Sequence, residues 1–376
     1  MSFQVKIVSR IEDINEAEWD RIGAGIACGS LLWTRFAVQM DPAFRPYFIL
    51  LYEEGKMVGR ATAAFNRHHG MSISSPVTRL VVDNLLNRYP LLQCQAAPVN
   101  LTCMSGLILP QGRETEAMQC ITEALHEIAR MNPTSFVAIG WLTEAEHRAV
   151  RGTRLFLTQK HTGTILVNRW SNFDEYLLTL GKTARKDYRQ HSNHARKMGI
   201  RIELTQKFAQ YARQFQDLMM NVDSHYHNSG SAVPSVEFFE LAEKEMADQG
   251  MMILAWVGDT LAGFGYLLHD QGILKPSLLG KDYRYKYVYF EIFYAMLRYG
   301  IDKGFRQIRG GVGGAYQFKR SLGFEDQWSY TAFTSPSPLF KWMGMQLVRS
   351  MNDETMVEQP VAEVRTEVST QTMTIN

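Results

Sequence analysis

At 376 residues the chain is longer than one ordinary domain, so two units are expected. Hydrophobic residues at 45% and charged residues at 21% are globular proportions and argue against a largely disordered chain. A net charge of +2 means that nothing global demands a polyanionic partner such as DNA, so any site for nucleic acid or an anionic donor must be local.

The opening MSFQVKIVSRIEDINEAEWD lacks the apolar core of a signal peptide, and no apolar run reaches the roughly 20 residues that span a bilayer. Cys28, Cys94, Cys103 and Cys120 show neither CxxC nor Cys/His metal spacing, so reduced thiols, a cytoplasmic setting and no metal are expected. Ile49 to Phe65, ILLYEEGKMVGRATAAF, reads as strand, tight turn and strand. Leu101 to Leu109 reads as a strand. Glu114 to Met131 reads as a helix, with Met118, Ile121, Leu125 and Ile128 three or four apart, and Ser135 to Leu142 as another strand.

Asn172 to Gly199 suggests two helices stopped at Gly181 and Gly199, followed by the strand IRIELT and helices over 209–221 and 236–249. His227 to Ser235 is a loop by its Gly, Ser, Asn and Pro content. Ile253 to Leu268, ILAWVGDTLAGFGYLL, is a second hairpin about 204 positions after the first, and SLLGKD, a helix over 289–303 and the strand FRQIRGGV follow. Both halves thus read hairpin, strand, helix, strand, the pattern of a repeated α+β unit. The expected division is an N-terminal unit over 1–170, a basic helical connector over 171–205 and a C-terminal transferase unit over 206–335. A polar, disordered tail is expected over 352–376.

FDEYLLTLGKTARKDYRQHSNHARKMGIRIE, the second hairpin and GKDYRYKYVYFEIFYAMLRYGIDKGFRQIRGGVGGAYQFKRSLGF together resemble the GNAT-fold transferases of the FemAB-like group. The resemblance is carried by residues 172–330. It implies an α+β fold of two GNAT-like units, each a mixed, mostly antiparallel sheet flanked by helices. It also implies transfer of an acyl or aminoacyl group to an amine, from coenzyme A or from charged tRNA. Acyl-CoA is the first expectation, as a cosubstrate and not a tightly bound cofactor. The acceptor would be the amine of a small molecule or amino-acid derivative.

The chain departs from the CoA pattern, in which a Gly-rich turn before a helix holds the pyrophosphate on backbone N–H groups. YRYKYVY (Tyr283 to Tyr289) has no glycine, and PQGRETEAM (Pro110 to Met118) has two carboxylates. The loop GGVGGAYQFKR fits neither familiar phosphate motif, since Lys319 precedes Arg320 and Tyr316 takes the third glycine position of a dinucleotide loop. In the FemAB-like reading its glycines free the backbone and Lys319 points toward the substrate cleft; a tight turn with a solvated lysine is the plainer reading. Lys182, Arg185, Lys186 and Arg189 begin the densest basic run, which would hold donor phosphates or be a solvated helix face.

Amide formation needs a neutral attacking amine and a stabilised oxyanion. No Ser-His-Asp or Cys-His order is evident, which favours direct attack. The catalytic candidates are Glu291, Asp282, Lys319 and Tyr316, the last as a proton donor to a leaving thiolate. Asp223, His225, His227 and Tyr283 are the substrate-binding candidates. Two histidines two apart make a weak metal signal. The aromatic series from Tyr283 to Tyr294 reads as core and cleft wall in preference to a base-stacking surface. A non-catalytic, GNAT-derived binding protein is the competing reading of another class.

Overall fold

The computed structural model describes residues 3–26, 28–40, 45–66, 80, 84–95, 104–153, 157–225, 233–312 and 315–344. The expectations for Cys103, His227 and the 352–376 tail fall outside them.

The repeat is built into the backbone. Strands β2 (Pro46–Glu53) and β3 (Lys56–Asn66) form the first hairpin, and β9 (Gly250–Val257) and β10 (Thr260–Asp270) form the second, each 204 positions later at both ends. Each hairpin carries a bulge at the equivalent place, between the partners of Met57 and Gly59 and between those of Leu261 and Gly263. The first turn puts Glu54 and Gly55 at φ 50° and 77°, the left-handed pair of a type I′ hairpin. Side chains alternate between faces as a pleated strand requires. Ile49 and Leu51 enter one core and Phe48 and Leu50 another; Ile253 and Ala255 separate from Met252 and Leu254 in the same way.

The remaining strands are β1 (Gln4–Val8), β4 (Leu91–Cys94), β5 (Leu107–Ile108), β6 (Val137–Leu142), β7 (Leu157–Val167), β8 (Ile200–Thr205), β11 (Ile273–Lys281), β12 (Gln307–Val312) and β13 (Glu325–Thr334). They form a single sheet in the order β1-β2-β3-β4-β6-β13-β7-β12-β11-β10-β9-β8, with β5 on β3. The two units exchange their last strands. β7, which ends the first half, pairs with β12, while β13, which ends the second, pairs with β6, and β7 and β13 pair along nine positions at the centre. The repeat foreseen from the sequence did not include this continuity. Of the strand expected over 101–109, only Leu107–Ile108 pairs among the described residues.

The helices are α1 (Glu16–Gly23), α2 (Leu31–Met40), α3 (Glu114–Met131), α4 (Glu144–Thr153), α5 (Phe173–Thr179), α6 (Lys182–Lys197), α7 (Ala212–His225), α8 (Val236–Glu245), α9 (Val288–Asp302) and α10 (Tyr316–Ser321). α3 buries Met118, Ile121, Leu125 and Ile128 on the N-terminal half of the sheet, and α9 buries Ile292, Phe293, Met296 and Leu297 on the C-terminal half. α7 and α8 cover the opposite face of that half, joined there by α2 of the first unit through Trp33, Phe36 and Ala37. The segment expected as a connector is integrated, since α6 packs on α9 and β8 extends the sheet beside β9.

Two glycines let α9 seat against β10. A Cβ on Gly263 would stand 2.4 Å from Val288 Cγ1, and one on Gly265 would stand 2.8 Å from Ile292 Cγ2. Both contacts involve side chains packed in the core beneath α9, with little room to yield. Gly263→Ala is therefore expected to destabilise the protein by about 1–3 kcal/mol, the usual range for overpacking. A denaturant titration showing an unchanged midpoint would remove this reading of the contact.

Candidate functional site at the opening between two strands

β11 and β12 run parallel but pair only at Ile273/Gln307 and Leu274/Ile308. Beyond these positions β11 continues to Lys281 and β12 to Val312 without pairing to each other, so the sheet opens between them. α9 follows β11 and α10 follows β12, so both helices stand beside this opening.

Lys319 lies on α10 and is 3% exposed. Phe318 seats α10 against α9 through Phe290 and Phe293, at ring separations of 5.0 and 5.3 Å. Leu322, one turn past Lys319, enters the same core. The helix starts from Ala315 at φ 52°. Burial pulls the Lys319 pKa down to about 8, because an ammonium loses hydration there. Its Nζ stands 5.5 Å from the Tyr316 ring centroid, which brings two sequence candidates together.

Lys281, which the sequence reading did not single out, occupies the last position of β11. It pairs with Gly263 and shares that residue's face, toward α9. Its Nζ is 4.1 Å from the Tyr283 ring centroid and 5.7 Å from that of Tyr289, and burial lowers its pKa. Tyr289 in turn meets Phe318 at 6.1 Å, so one run of contacts links Lys281 to α10. His225, at the end of α7, stacks on Tyr283 at 3.8 Å. His225 and Tyr283 are thus neighbours at the mouth of the opening, and Asp223 lies in the last turn of the same helix. The available signal for Lys281 was its alternation with Leu279 at the end of a strand; the lack of a glycine after it drew attention to the turn instead.

Asp282 is 7% exposed and bonded to Arg284 through the guanidinium and the backbone N–H, and the side-chain bond holds its pKa below the usual range. A carboxylate so paired is a weak proton acceptor at neutral pH. Glu291 accepts a hydrogen bond from Ser192 at 2.9 Å, which puts its carboxylate at the α6–α9 interface; burial raises its pKa. Neither acid is brought beside Lys319 by any of these bonds.

α6 and α9 run antiparallel: Tyr188 meets Tyr294, His191 meets Phe290 and His194 meets Tyr287. Lys182, Arg185, Lys186 and Arg189 therefore lie toward the end of α6 remote from the start of α9, with Lys182 about 18 Å from His194 along the axis. Arg185 donates to the Leu178 carbonyl and Arg189 to that of Arg185. Arg196 and Lys197 stand at the nearer end. The aromatic series is largely wall and core: Phe293 and Tyr294 are buried, and Phe290 packs on Phe318.

Among the described residues no group of three or more His, Cys, Asp or Glu is placed to hold a metal, and no helix is long and apolar enough to cross a membrane. Cys28, Cys94 and Cys120 are free thiols.

Paired hairpin units, exchanged last strands and a parallel pair that opens beside a helix define a tandem GNAT fold. The structure of FemX superposes with a TM-score of 0.59 at 11% identity, covering 90% of this chain and 99% of that one. A tandem GNAT protein from the clavulanic acid biosynthesis pathway gives 0.54 at 11% identity, covering 89% and 99%. The C-terminal domain of a putative lysylphosphatidylglycerol synthetase from Agrobacterium fabrum also gives 0.54 at 11% identity, covering 90% and 95%. No curated protein matches in sequence. The chain belongs to the FemAB-like family, described by peptidoglycan biosynthesis and recognition, whose model matches residues 10–366.

Proposed function

We propose that the protein forms an amide bond, moving an aminoacyl or acyl group from a carrier to an amine at the opening between β11 and β12. The buried ammonium of Lys319 is the observation that carries this reading. The neutral amine attacks the carbonyl carbon and the C–N bond forms; the bond to the carrier oxygen or sulfur then breaks. The proton lost by the amine balances the one gained by the leaving atom. Lys319, protonated below about pH 8, donates to the oxyanion that develops between these steps, where low polarity strengthens the contact. Lys281 adds a second cation on the same face.

Asp282 favours an aminoacyl ester of tRNA over the acyl-CoA expected first. It fills the turn before α9 and takes the Arg284 N–H, in the place where a CoA-binding turn offers bare N–H groups to pyrophosphate. The family's description suggests an amine on a peptidoglycan precursor as acceptor. Thermal stabilisation by charged tRNA and none by CoA is expected; stabilisation by acyl-CoA alone would restore the thioester reading.

The pH profile offers a separate check. Activity should rise as the attacking amine loses its proton and fall as Lys319 loses its own near pH 8. In Lys319→Arg, whose guanidinium stays charged, the falling limb should vanish from whatever activity remains. An unchanged falling limb would assign it to another group.

A further inference from the structure

The opposite face of the same opening holds a second pair of cations. Lys275 follows the last β11 residue that pairs with β12, and Arg309 follows its counterpart on β12. Lys275 pairs with Leu268, which lies in the core under α7 and α8, whereas Ile308 lies in the core under α9. Strand alternation therefore turns Lys275 and Arg309 to the α7–α8 face, away from Lys319.

The first unit closes over this place. Cys28, in the turn between α1 and α2, donates its N–H to Asp270 at 2.9 Å, and its side chain packs on the α7–α8 core. Lys275, Asp270 and Arg309 are the charges that act on the Cys28 thiol, so all three converge beneath that turn. Lys275 is 7% exposed. Burying cations is costly unless an anion compensates. The carboxylate that faces them is Asp270, which already accepts backbone N–H groups from Cys28, Gly29 and Gln271. One acid against two cations leaves positive charge at the apex of the opening. The Ser277 hydroxyl on β11 and the indole N–H of Trp33 on α2 are buried donors without partners, and Trp33 is 1% exposed in the core of this face.

We propose that Lys275 and Arg309 form an oxyanion-binding subsite for the acceptor, which is therefore an amine that also carries a carboxylate or phosphate. This rests on the transfer reading above. In that arrangement the carrier is held from the α9 side by Lys281 and Lys319. The acceptor's anion is held from the α7–α8 side, with its amine directed into the gap between the strands.

The test is calorimetric titration of the full chain with inorganic phosphate and, separately, with acetate. Saturable binding of at least one anion is expected, weakened at least tenfold in Lys275→Met and in Arg309→Met and retained in Lys319→Met and Lys281→Met. The charge-keeping Lys275→Arg should retain it as well. The anion that binds decides between phosphate and carboxylate. Absence of saturable binding of either anion by the unaltered protein overturns the proposal, whether or not the methionine variants fold. Equal binding by all variants also overturns it. Because no transfer is measured, these results are independent of the proposed reaction; loss of transfer with intact anion binding would count against the reaction alone.

Discussion

Replacing Lys319 with methionine should abolish most transfer activity and, at neutral pH, make the protein more stable. Loss of a donor to a developing oxyanion costs roughly 10²- to 10³-fold in rate, about 3–4 kcal/mol of transition-state stabilisation. The stability change has the opposite sign. The folded pKa of Lys319 is about 8, below the model value of 10.5, so the unfolded chain binds the proton more tightly. This penalty on folding is fully present below pH 8. It shrinks as pH rises from there and is gone above about pH 10.5, because folding then no longer has to strip or bury a charge. The 2.5-unit difference corresponds to about 3 kcal/mol at neutral pH. Chemical denaturation at pH 7 and pH 10.5 checks this: the variant should gain at pH 7 and lose most of its advantage at pH 10.5. A variant less stable than its parent at both values would show that Lys319 is a structural group and not one held for chemistry.

Arg60→Ala should be among the most destabilising single changes in the first unit. Arg60 is 4% exposed, with its guanidinium 3.4 Å from the Trp19 ring centroid, and it donates to the Gly29 carbonyl. Asp20 opposes the downward pull of burial on its pKa. Gly29 belongs to the turn that ties the units together: Cys28 and Gly25 donate to Asp270 and Gln271, and Arg306 donates to the Gly25 carbonyl. Truncation leaves a buried carbonyl without its donor, a void beside Trp19 and the Asp20 charge without its counterion. Breaking such a group costs about 3–5 kcal/mol. The expected result is a large fall in the unfolding midpoint with faster amide exchange at Cys28. A shift within about 0.5 kcal/mol, the range of surface substitutions, would contradict this account of the turn.

Much of the fold was legible because local patterns and tertiary structure agree. The two hairpins, the strand Ile200–Thr205 and the helix Glu114–Met131 lie where the sequence places them, since alternation and helical periodicity coincide with burial on known faces. The exchange of β7 and β13 was not legible. β13 reads Glu-Asp-Gln-Trp-Ser-Tyr-Thr, and most of its residues are only partly buried, so no apolar alternation marks it as a central strand. Its place is set by pairing with partners far away in sequence. α1 and α2 were missed for a related reason: Trp19, Trp33 and Phe36 bury fully only against elements that come later in the chain.

At the site, Lys319 and the neighbouring Tyr283 and His225 were found through their glycine loop and aromatic series. Lys281, Lys275 and Arg309 were not, because each is a lone cation in an apolar strand whose meaning depends on the strand beside it. The basic run on α6 drew attention by density alone. Its first half points along a helix away from the opening.

The central claim is amide formation at this opening with Lys319 as oxyanion donor. Its most direct test is mass-spectrometric detection of new amide after mixing the protein with charged tRNA and an amine-bearing peptidoglycan-precursor peptide, with acyl-CoA as the parallel donor. The account predicts amide product with the unaltered protein and at least 100-fold less with Lys319→Met, while tRNA binding is retained. Equal product from the two proteins, or no product from either donor with the unaltered protein, would contradict it.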